Sequence, residues 1–278
     1  MLPLTWLYVP GDRPERFDKA AASGADIVIV DLEDAVAPAH KDAARENAVR
    51  WLTTARVGSV EVRVNALGTP WAAEDLRAMT DTPSLRAVRL PKTESAADVR
   101  AALELLTARE CGLTCLIETA RGVEAAYDIA CVPRVDAIAL GEADLAGDLG
   151  VSDADGLTWA RSRIVIAARA AGLPAPAMSV HPHVADLDGL ETSSRAGRRL
   201  GFVGRAAIHP RQVPVIAAAF GPSRAEIADA RTVIDAFARA SDAGNGVLVL
   251  DDGRMIDPAM VAQARAVLDR AGADAHDC

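Results

Sequence analysis

Residues 25–65 read ADIVIVDLEDAVAPAHKDAARENAVRWLTTARVGSVEVRVN. ADIVIVDL at 25–32 has the length and apolarity of a buried strand. Residues 39–55 are Ala-rich and amphipathic, which predicts a helix. VEVRVN at 60–65 is again a strand-length apolar run. Strand, helix and strand in this order predict parallel pairing through a helical crossover.

The same alternation extends in both directions. Further runs are LTWLYV at 4–9, LRAVRLP at 85–91, LTCLIE at 113–118, VDAIALG at 135–141, PAMSV at 176–180 and FVGRAAI at 202–208. Helix-like segments at 13–23, 71–79, 94–110, 121–131, 155–172, 186–200 and 211–219 lie between or after them. About eight such units predict an α/β fold of the closed (β/α)8 TIM-barrel type. A doubly wound open sheet is the alternative. It usually has fewer strands, and no GxGxxG follows the first run.

The pattern changes near Gly221. GPSRAEIADARTVIDAFARASDAG reads as one helix, started by Pro222 and Ser223 and stopped by Gly244. GVLVLDDGRMID reads as a hairpin turning at Asp252-Gly253. Asp257 at the N-cap and Pro258 at the first turn open a last helix. The expected organisation is a catalytic barrel over 1–220 and a C-terminal helix–hairpin–helix extension over 221–278. The extension is too small for a core of its own, so it packs on the barrel or on a neighbouring subunit. The final ADAHDC is expected to fray.

Composition sets the class. The 278 residues are 50% hydrophobic and 25% charged, enough for a full globular core. Thirty Lys and Arg against 39 Asp and Glu give a net charge of −9, with no basic block, which argues against a nucleic-acid partner. No apolar stretch reaches the length of a membrane span, and the N-terminus lacks a signal-peptide pattern. Cys111, Cys115, Cys131 and Cys278 form no Cys-x-x-Cys pair and read as reduced thiols, with Cys115 packed in the core. A cytoplasmic protein is expected.

Barrel enzymes place their chemistry at the C-terminal ends of the strands. Those ends carry Asp31, Glu33 and Asp34, then Arg63, Lys92, Glu118, and Glu142 with Asp144. Clustered carboxylates repel one another, and a hard divalent cation resolves the conflict. Oxygen-only ligands favour Mg²⁺ or Mn²⁺. Glu118 and Asp144 end adjacent strands and are the candidate metal ligands, with Asp31, Glu33 and Asp34 holding metal-bound waters around them. Helix capping is the competing role for Asp34 and Asp144. Arg63 is suited either to an ion pair with Asp31 or Glu33 or to a bidentate clamp on a substrate carboxylate. His181, His183 and His209 lack the spacing of a zinc site.

The order and spacing of LYVPGDRPERFDKA, VIVDLEDAV, RVNALGT, RLPKTES, LIETARGV, ALGEADLAGDLG, DLDGL, AIHPRQV and MIDPAMV resemble the citrate lyase beta subunit and malyl-CoA lyase-like family, a group of class II aldolase-type (β/α)8 enzymes. The resemblance spans nearly the whole chain. It implies a carbon–carbon lyase that cleaves or forms 3-hydroxyacyl-CoA thioesters, with an acyl-CoA and a 2-oxo acid such as oxaloacetate, glyoxylate or pyruvate as products. It implies Mg²⁺ on Glu118 and Asp144, oxo-acid binding by Arg63, and a catalytic Asp257 reaching in from a neighbouring subunit. Asp257 also reads as a plain N-cap. Asp34 is a further candidate catalytic residue. Pro10, Gly11, Arg13 and Lys19 are candidate coenzyme A contacts, with a solvated helix face as the competing reading for Lys19. A homo-oligomer, such as a trimer, is implied, and an acyl carrier protein is the partner in the citrate lyase complex version of this activity. A CoA-independent hydroxy-keto-acid aldolase is a third reading. His183 stands where relatives commonly carry Asp, and it bears on the substrate mouth.

Overall fold

The computed structural model describes residues 3–54, 59–80, 82, 85–107, 111–242, 247–250 and 252–272. These residues form two compact units, Pro3–Ala219 and the described part of Phe220–Cys278. Cys278 and the final ADAHDC lie outside the described residues.

The first unit contains eight strands: β1 (Thr5–Pro10), β2 (Ile27–Asp31), β3 (Ser59–Arg63), β4 (Leu85–Leu90), β5 (Gly112–Ile117), β6 (Val135–Leu140), β7 (Ala177–Met178) and β8 (Gly204–Ala207). All are parallel, in the order β6-β5-β4-β3-β2-β1-β8-β7. β6 and β7 are the two ends of the ladder and lie in contact, so the barrel is nearly closed. β7 is shorter than the run 176–180 suggests, because Pro174, Pro176 and Pro182 remove backbone donors on both sides of it.

Ten helices belong wholly or mainly to this unit: α1 (Phe17–Ala21), α2 (Lys41–Thr54), α3 (Ala72–Ala78), α4 (Ala96–Leu105), α5 (Ala120–Glu124), α6 (Ala126–Ala130), α7 (Glu142–Leu149), α8 (Thr158–Ala170), α9 (Leu187–Arg199) and α10 (Gln212–Phe220). The expected helix over 121–131 is two short ones. α7 is an addition that the sequence reading passed over in GEADLAGDLG; it stops at Gly150, whose φ of +65° is left-handed. α2 buries Lys41, Ala44, Ala48 and Leu52, one stripe at three- and four-residue intervals.

Side chains alternate across each strand. Trp6, Ile27, Ile29, Ala177, Val203 and Ala206 form one buried cluster, with Tyr8 and Val180 packed against it. The next inward positions toward the C-terminal ends are polar on β2, β3 and β5, and that change from apolar to charged positions the site. Cys111 and Cys115 are buried free thiols and Cys131 is an exposed one.

The second unit holds α11 (Arg224–Asp242), an antiparallel hairpin of β9 (Leu248–Val249) and β10 (Met255–Ile256), and α12 (Pro258–Ala271). Ser223 and Glu226 make a reciprocal capping box at the start of α11. Gly253, with φ of +84°, supplies the hairpin turn. Asp257 Oδ1 accepts from Met260 N at 2.9 Å, the N-cap its sequence position suggests. Ala230, Val233, Ile256, Val261, Ala264 and Leu268 are the buried core of this unit. Among the described residues, no helix is long and apolar enough to cross a membrane.

Candidate active site

A cavity of about 370 Å³ opens at the C-terminal ends of the barrel strands, lined by residues from β1 to β8 and the loops that follow them. Asp31, Asp34, Arg63, Arg89, Glu118 and Asp144 form its charged lining.

Arg63 ends β3 and is the hub. Its Nε donates to Asp31 Oδ1 at 2.7 Å and its Nη2 to Asp31 Oδ2 at 2.6 Å, a bidentate pair. Its Nη1 donates to Asp34 Oδ2 at 2.9 Å and lies 3.0 Å from Glu33 Oε2. The Arg63 guanidinium also stands 5.1 Å from the centroid of the Tyr8 ring. Burial works against its charge, but Asp31 above all holds its pKa up. The ion-pair role foreseen for Arg63 is therefore present, and the arginine still faces the cavity.

Asp31, expected to hold water on a metal, is tied to the protein. Both its oxygens are already engaged: besides Arg63, Oδ1 accepts from Glu33 N and Oδ2 from Ala35 N. It fixes Arg63 and the turn after β2. Lys41 supports the same turn from behind, donating Nζ to Leu32 O at 2.8 Å and to Glu33 O at 2.7 Å. Glu33 is buried between Arg63 and Lys92, whose Nζ is 2.7 Å from Glu33 Oε1. Burial pushes the Glu33 carboxyl up to about 7, with Asp34 adding to the shift and Arg63 and Lys92 opposing it.

Glu118 follows β5 and is 3% exposed. Its Oε2 accepts from Lys92 N at 2.8 Å. Lys92 reaches that position with φ of +50°, a left-handed conformation rare outside glycine. The other oxygen, Oε1, lies over Gly141, where a Cβ would approach it to 2.2 Å. Gly141 is thus the residue that leaves room for this carboxylate. Burial raises the Glu118 pKa, Lys92 and Arg63 oppose the rise, and Asp144 adds to it. Asp144, in the first turn of α7, is exposed and lines the same cavity. Neither Glu118 Oε1 nor Asp144 accepts a hydrogen bond from any described residue.

Two charged residues within strands were not singled out from the sequence. Arg89 on β4 is 4% exposed and donates Nε to Glu61 Oε2 of β3 at 2.6 Å. The Tyr8 hydroxyl sits 3.5 Å from Arg89 Nη1. VEVRV and LRAVRL carried the signal: a charge at an inward position of an apolar strand needs a partner inside the barrel.

The candidate coenzyme A contacts fall elsewhere. Pro10, Gly11, Arg13 and Lys19 do not line the cavity. Gly11 is buried, and a Cβ there would meet Leu32 Cδ2 at 2.8 Å and the Asp31 carbonyl at 3.0 Å. Arg13 and Lys19 are exposed. Asp257 belongs to the second unit. His181 stands 3.3 Å from Asp186 Oδ2, and His209 Nδ1 accepts from Arg211 N. His183 is exposed, its ring 5.9 Å from that of His181. Among the described residues, no three His, Cys, Asp or Glu side chains converge as a metal cage.

The model of the HpcH/HpaI aldolase/citrate lyase family matches residues 4–210. The chain belongs to that family. It is 41% identical over 275 residues to the citrate lyase subunit beta-like protein of Mycobacterium tuberculosis, covering 96% of this chain and 95% of that protein. It is 34% identical over 298 residues to the L-malyl-CoA/beta-methylmalyl-CoA lyase of Cereibacter sphaeroides, covering 95% and 93%. The crystal structure of CitE from Mycobacterium tuberculosis with magnesium, acetoacetate and coenzyme A superposes with a TM-score of 0.84 at 38% identity, covering 97% of this chain and 98% of that one. The chain is a carbon–carbon lyase of the CoA-ester type.

Proposed function

We propose that this lyase cleaves, or in reverse forms, the C–C bond of a 3-hydroxyacyl-CoA such as malyl-, citramalyl- or citryl-CoA in a Mg²⁺-dependent reaction, giving an acyl-CoA and a 2-oxo acid. One observation carries the reading: Glu118, a buried carboxylate, faces a cavity it shares with Asp144 and Arg63. Two carboxylates without hydrogen bonds to spend on each other, in a confined and partly apolar site, suit a hard cation that takes one or two protein carboxylates and completes its shell with substrate oxygens. The relatives crystallised with magnesium support a bound metal. Mn²⁺ fits the same donors.

Glu118 and Asp144 would hold the ion, which supplies Lewis acidity at the oxo-acid carbonyl and carboxylate. Arg63 lies beside that place, its direction set by Asp31, and stabilises charge on the same fragment. In cleavage the 3-hydroxyl proton leaves, the C2–C3 electron pair passes to the thioester, and C2 is then protonated. Asp34, exposed and hydrogen-bonded to Arg63, is assigned the hydroxyl proton. Asp257 of a neighbouring copy is assigned the proton at C2, which requires a homo-oligomer. Its N-cap bond uses Oδ1 and leaves Oδ2 for that role. Pro10, Arg13 and Lys19 are kept as coenzyme A contacts outside the cavity, and Gly11 as the buried residue that shapes their turn.

The test uses the purified protein with each free CoA ester and Mg²⁺, reading release of the 2-oxo acid. Release that stops in chelator and returns with Mg²⁺ supports the proposal; an unchanged rate in chelator overturns the metal role. Silence on free esters with turnover of a carrier-bound acyl group would move the chain to the citrate lyase complex and an acyl carrier protein partner. Aldol cleavage without coenzyme A would support the third reading. Mixing Glu118→Gln with Asp257→Asn protein tests the neighbour's role. Activity regained on mixing supports it, and two dead proteins that stay dead when mixed refute it.

A further inference from the structure

The cavity has a second half that the reaction above does not use. Below Glu118 on the same face of β5 is Leu116, and below Gly141 on the same face of β6 is Ala139. Leu116 and Ala139 are paired across the ladder. Ala177 of β7 and Ala206 of β8 continue this surface, with Ser179 and Val180 above Ala177 at the end of β7. Three of these are alanines, so little side-chain volume stands above the Trp6, Ile27 and Ile29 cluster on this side, whereas Tyr8 and Arg89 line the cavity on the opposite side.

We propose that this alanine floor receives the substituent of the 2-oxo acid, so that the chain favours oxo acids carrying a short uncharged alkyl group over glyoxylate and over oxaloacetate. The proposal rests on the lyase reading and names its substrate class. The geometry is as follows. The carboxylate and carbonyl oxygens of the oxo acid belong with Arg63 and the Glu118–Asp144 pair, at the charged wall. Coenzyme A is far too large for a cavity of about 370 Å³, so its acyl group must arrive from the open mouth. The third group on the carbonyl carbon is then directed down the barrel, onto Leu116 and the three alanines. A methyl or ethyl group there is removed from water against apolar walls. A hydrogen leaves the floor unfilled. A second carboxylate would need a cation. Among the described residues lining the cavity the cations are Arg63, already facing Asp31, Glu33 and Asp34, and Arg89, paired with Glu61. A buried carboxylate without a partner is strongly disfavoured.

The experiment runs the reaction toward condensation with saturating acetyl-CoA and Mg²⁺ and varies the oxo acid: glyoxylate, pyruvate, 2-oxobutyrate and oxaloacetate. Each methyl group placed in a fitted pocket is expected to raise kcat/KM by about 10-fold or more. Pyruvate or 2-oxobutyrate should therefore lead, with glyoxylate and oxaloacetate at least about 10-fold behind. Ala206→Val fills the floor, and it should lower kcat/KM for 2-oxobutyrate about 10-fold more than for glyoxylate. Saturation transfer from the protein to the methyl group of pyruvate, read by NMR in the presence of Mg²⁺, gives an independent view of the contact. Preference for oxaloacetate or glyoxylate by the native protein overturns the proposal. So does an Ala206→Val protein in which the KM of acetyl-CoA rises while the oxo-acid ranking stays as it was, because the floor would then serve the pantetheine arm. If no oxo acid is condensed with free acetyl-CoA, the methyl saturation transfer still decides: a signal that weakens in Ala206→Val relative to the native protein places the methyl group on the floor, and an equal signal in both overturns the proposal.

Discussion

The β2–β4 side and the β6–β8 side of this barrel line one cavity and do opposite things. On the first side Asp31, Glu61, Arg63 and Arg89 are locked to one another by short ion pairs. On the second, Ala139, Ala177 and Ala206 are apolar, and Ser179 at the end of β7 is a polar side chain beside them. A wall of mutually satisfied charges holds its geometry without a ligand, as catalysis by fixed dipoles requires. A wall of small apolar side chains holds nothing, and its use depends on the volume it leaves. Rigidity and permissiveness are thus divided between two sectors of one sheet, with Glu118 of β5 at the seam.

The largest effect should come from breaking the charged wall at its deepest point. Arg89→Ala leaves Glu61 buried without its main partner, and unfolding in denaturant should show a loss of about 3–5 kcal/mol. The double variant Glu61→Leu with Arg89→Met should recover most of that loss, since a buried pair can be replaced by apolar volume. No recovery would mean that the pair organises the barrel beyond its own charge balance.

At the seam the expectation separates activity from stability. Glu118→Gln keeps an acceptor for Lys92 N but removes the charge that burial and Asp144 both disfavour. Lyase activity should fall by more than about 100-fold, several kcal/mol of lost metal assistance, while the melting temperature stays level or rises. A protein that melts much earlier would show that the carboxylate is structural.

The pH dependence tests the charged wall more gently. Glu33 titrates near its ordinary value of 4.5 when unfolded and at about 7 when folded. Between these values the folded state holds more protons than the unfolded one, so stability falls as pH rises through about 4.5 to 7 and levels off above. Glu33→Gln should flatten that slope, by up to about 3 kcal/mol across the window. A native protein whose stability rises with pH there, with the slope unchanged in the variant, would show that Arg63 and Lys92 outweigh burial at Glu33.

The smallest effect concerns the second unit. Asp257→Ala should cost about 1 kcal/mol of stability through the lost cap, and Asp257→Asn almost nothing. Equal activity loss in both variants would assign the loss to carboxylate chemistry. Loss confined to the alanine variant would leave Asp257 a cap alone.

The two sides also differ in how far the sequence announces them. The eight strands and the last two helices are legible because burial imposes apolar runs and because Ser223, Gly253, Asp257 and Pro258 carry their own backbone preferences. The charged rim is legible because Asp31, Arg63 and Glu118 each close an apolar run, where a charge is conspicuous. Glu61 and Arg89 were hidden one layer deeper, inside runs read as plain strands. The alanine floor could not be read at all: Ala139, Ala177 and Ala206 are unremarkable in an Ala-rich chain and acquire meaning only when the barrel brings them side by side. α7 was missed because its short Gly- and Asp-containing sequence resembles a loop, and β7 shrank because three prolines surround it.

Lys92 joins the two sectors by a single backbone kink. Its N–H is aimed at Glu118 only because the residue adopts a conformation glycine would occupy more cheaply, and its ammonium reaches Glu33 only because it is not glycine. A mutational path through this position therefore meets a fork. Lys92→Gly relaxes the kink and keeps the amide but abandons Glu33 to one cation; any β-branched residue surrenders both. The site can drift at its alanines one methyl at a time, whereas at residue 92 it has almost nowhere to go.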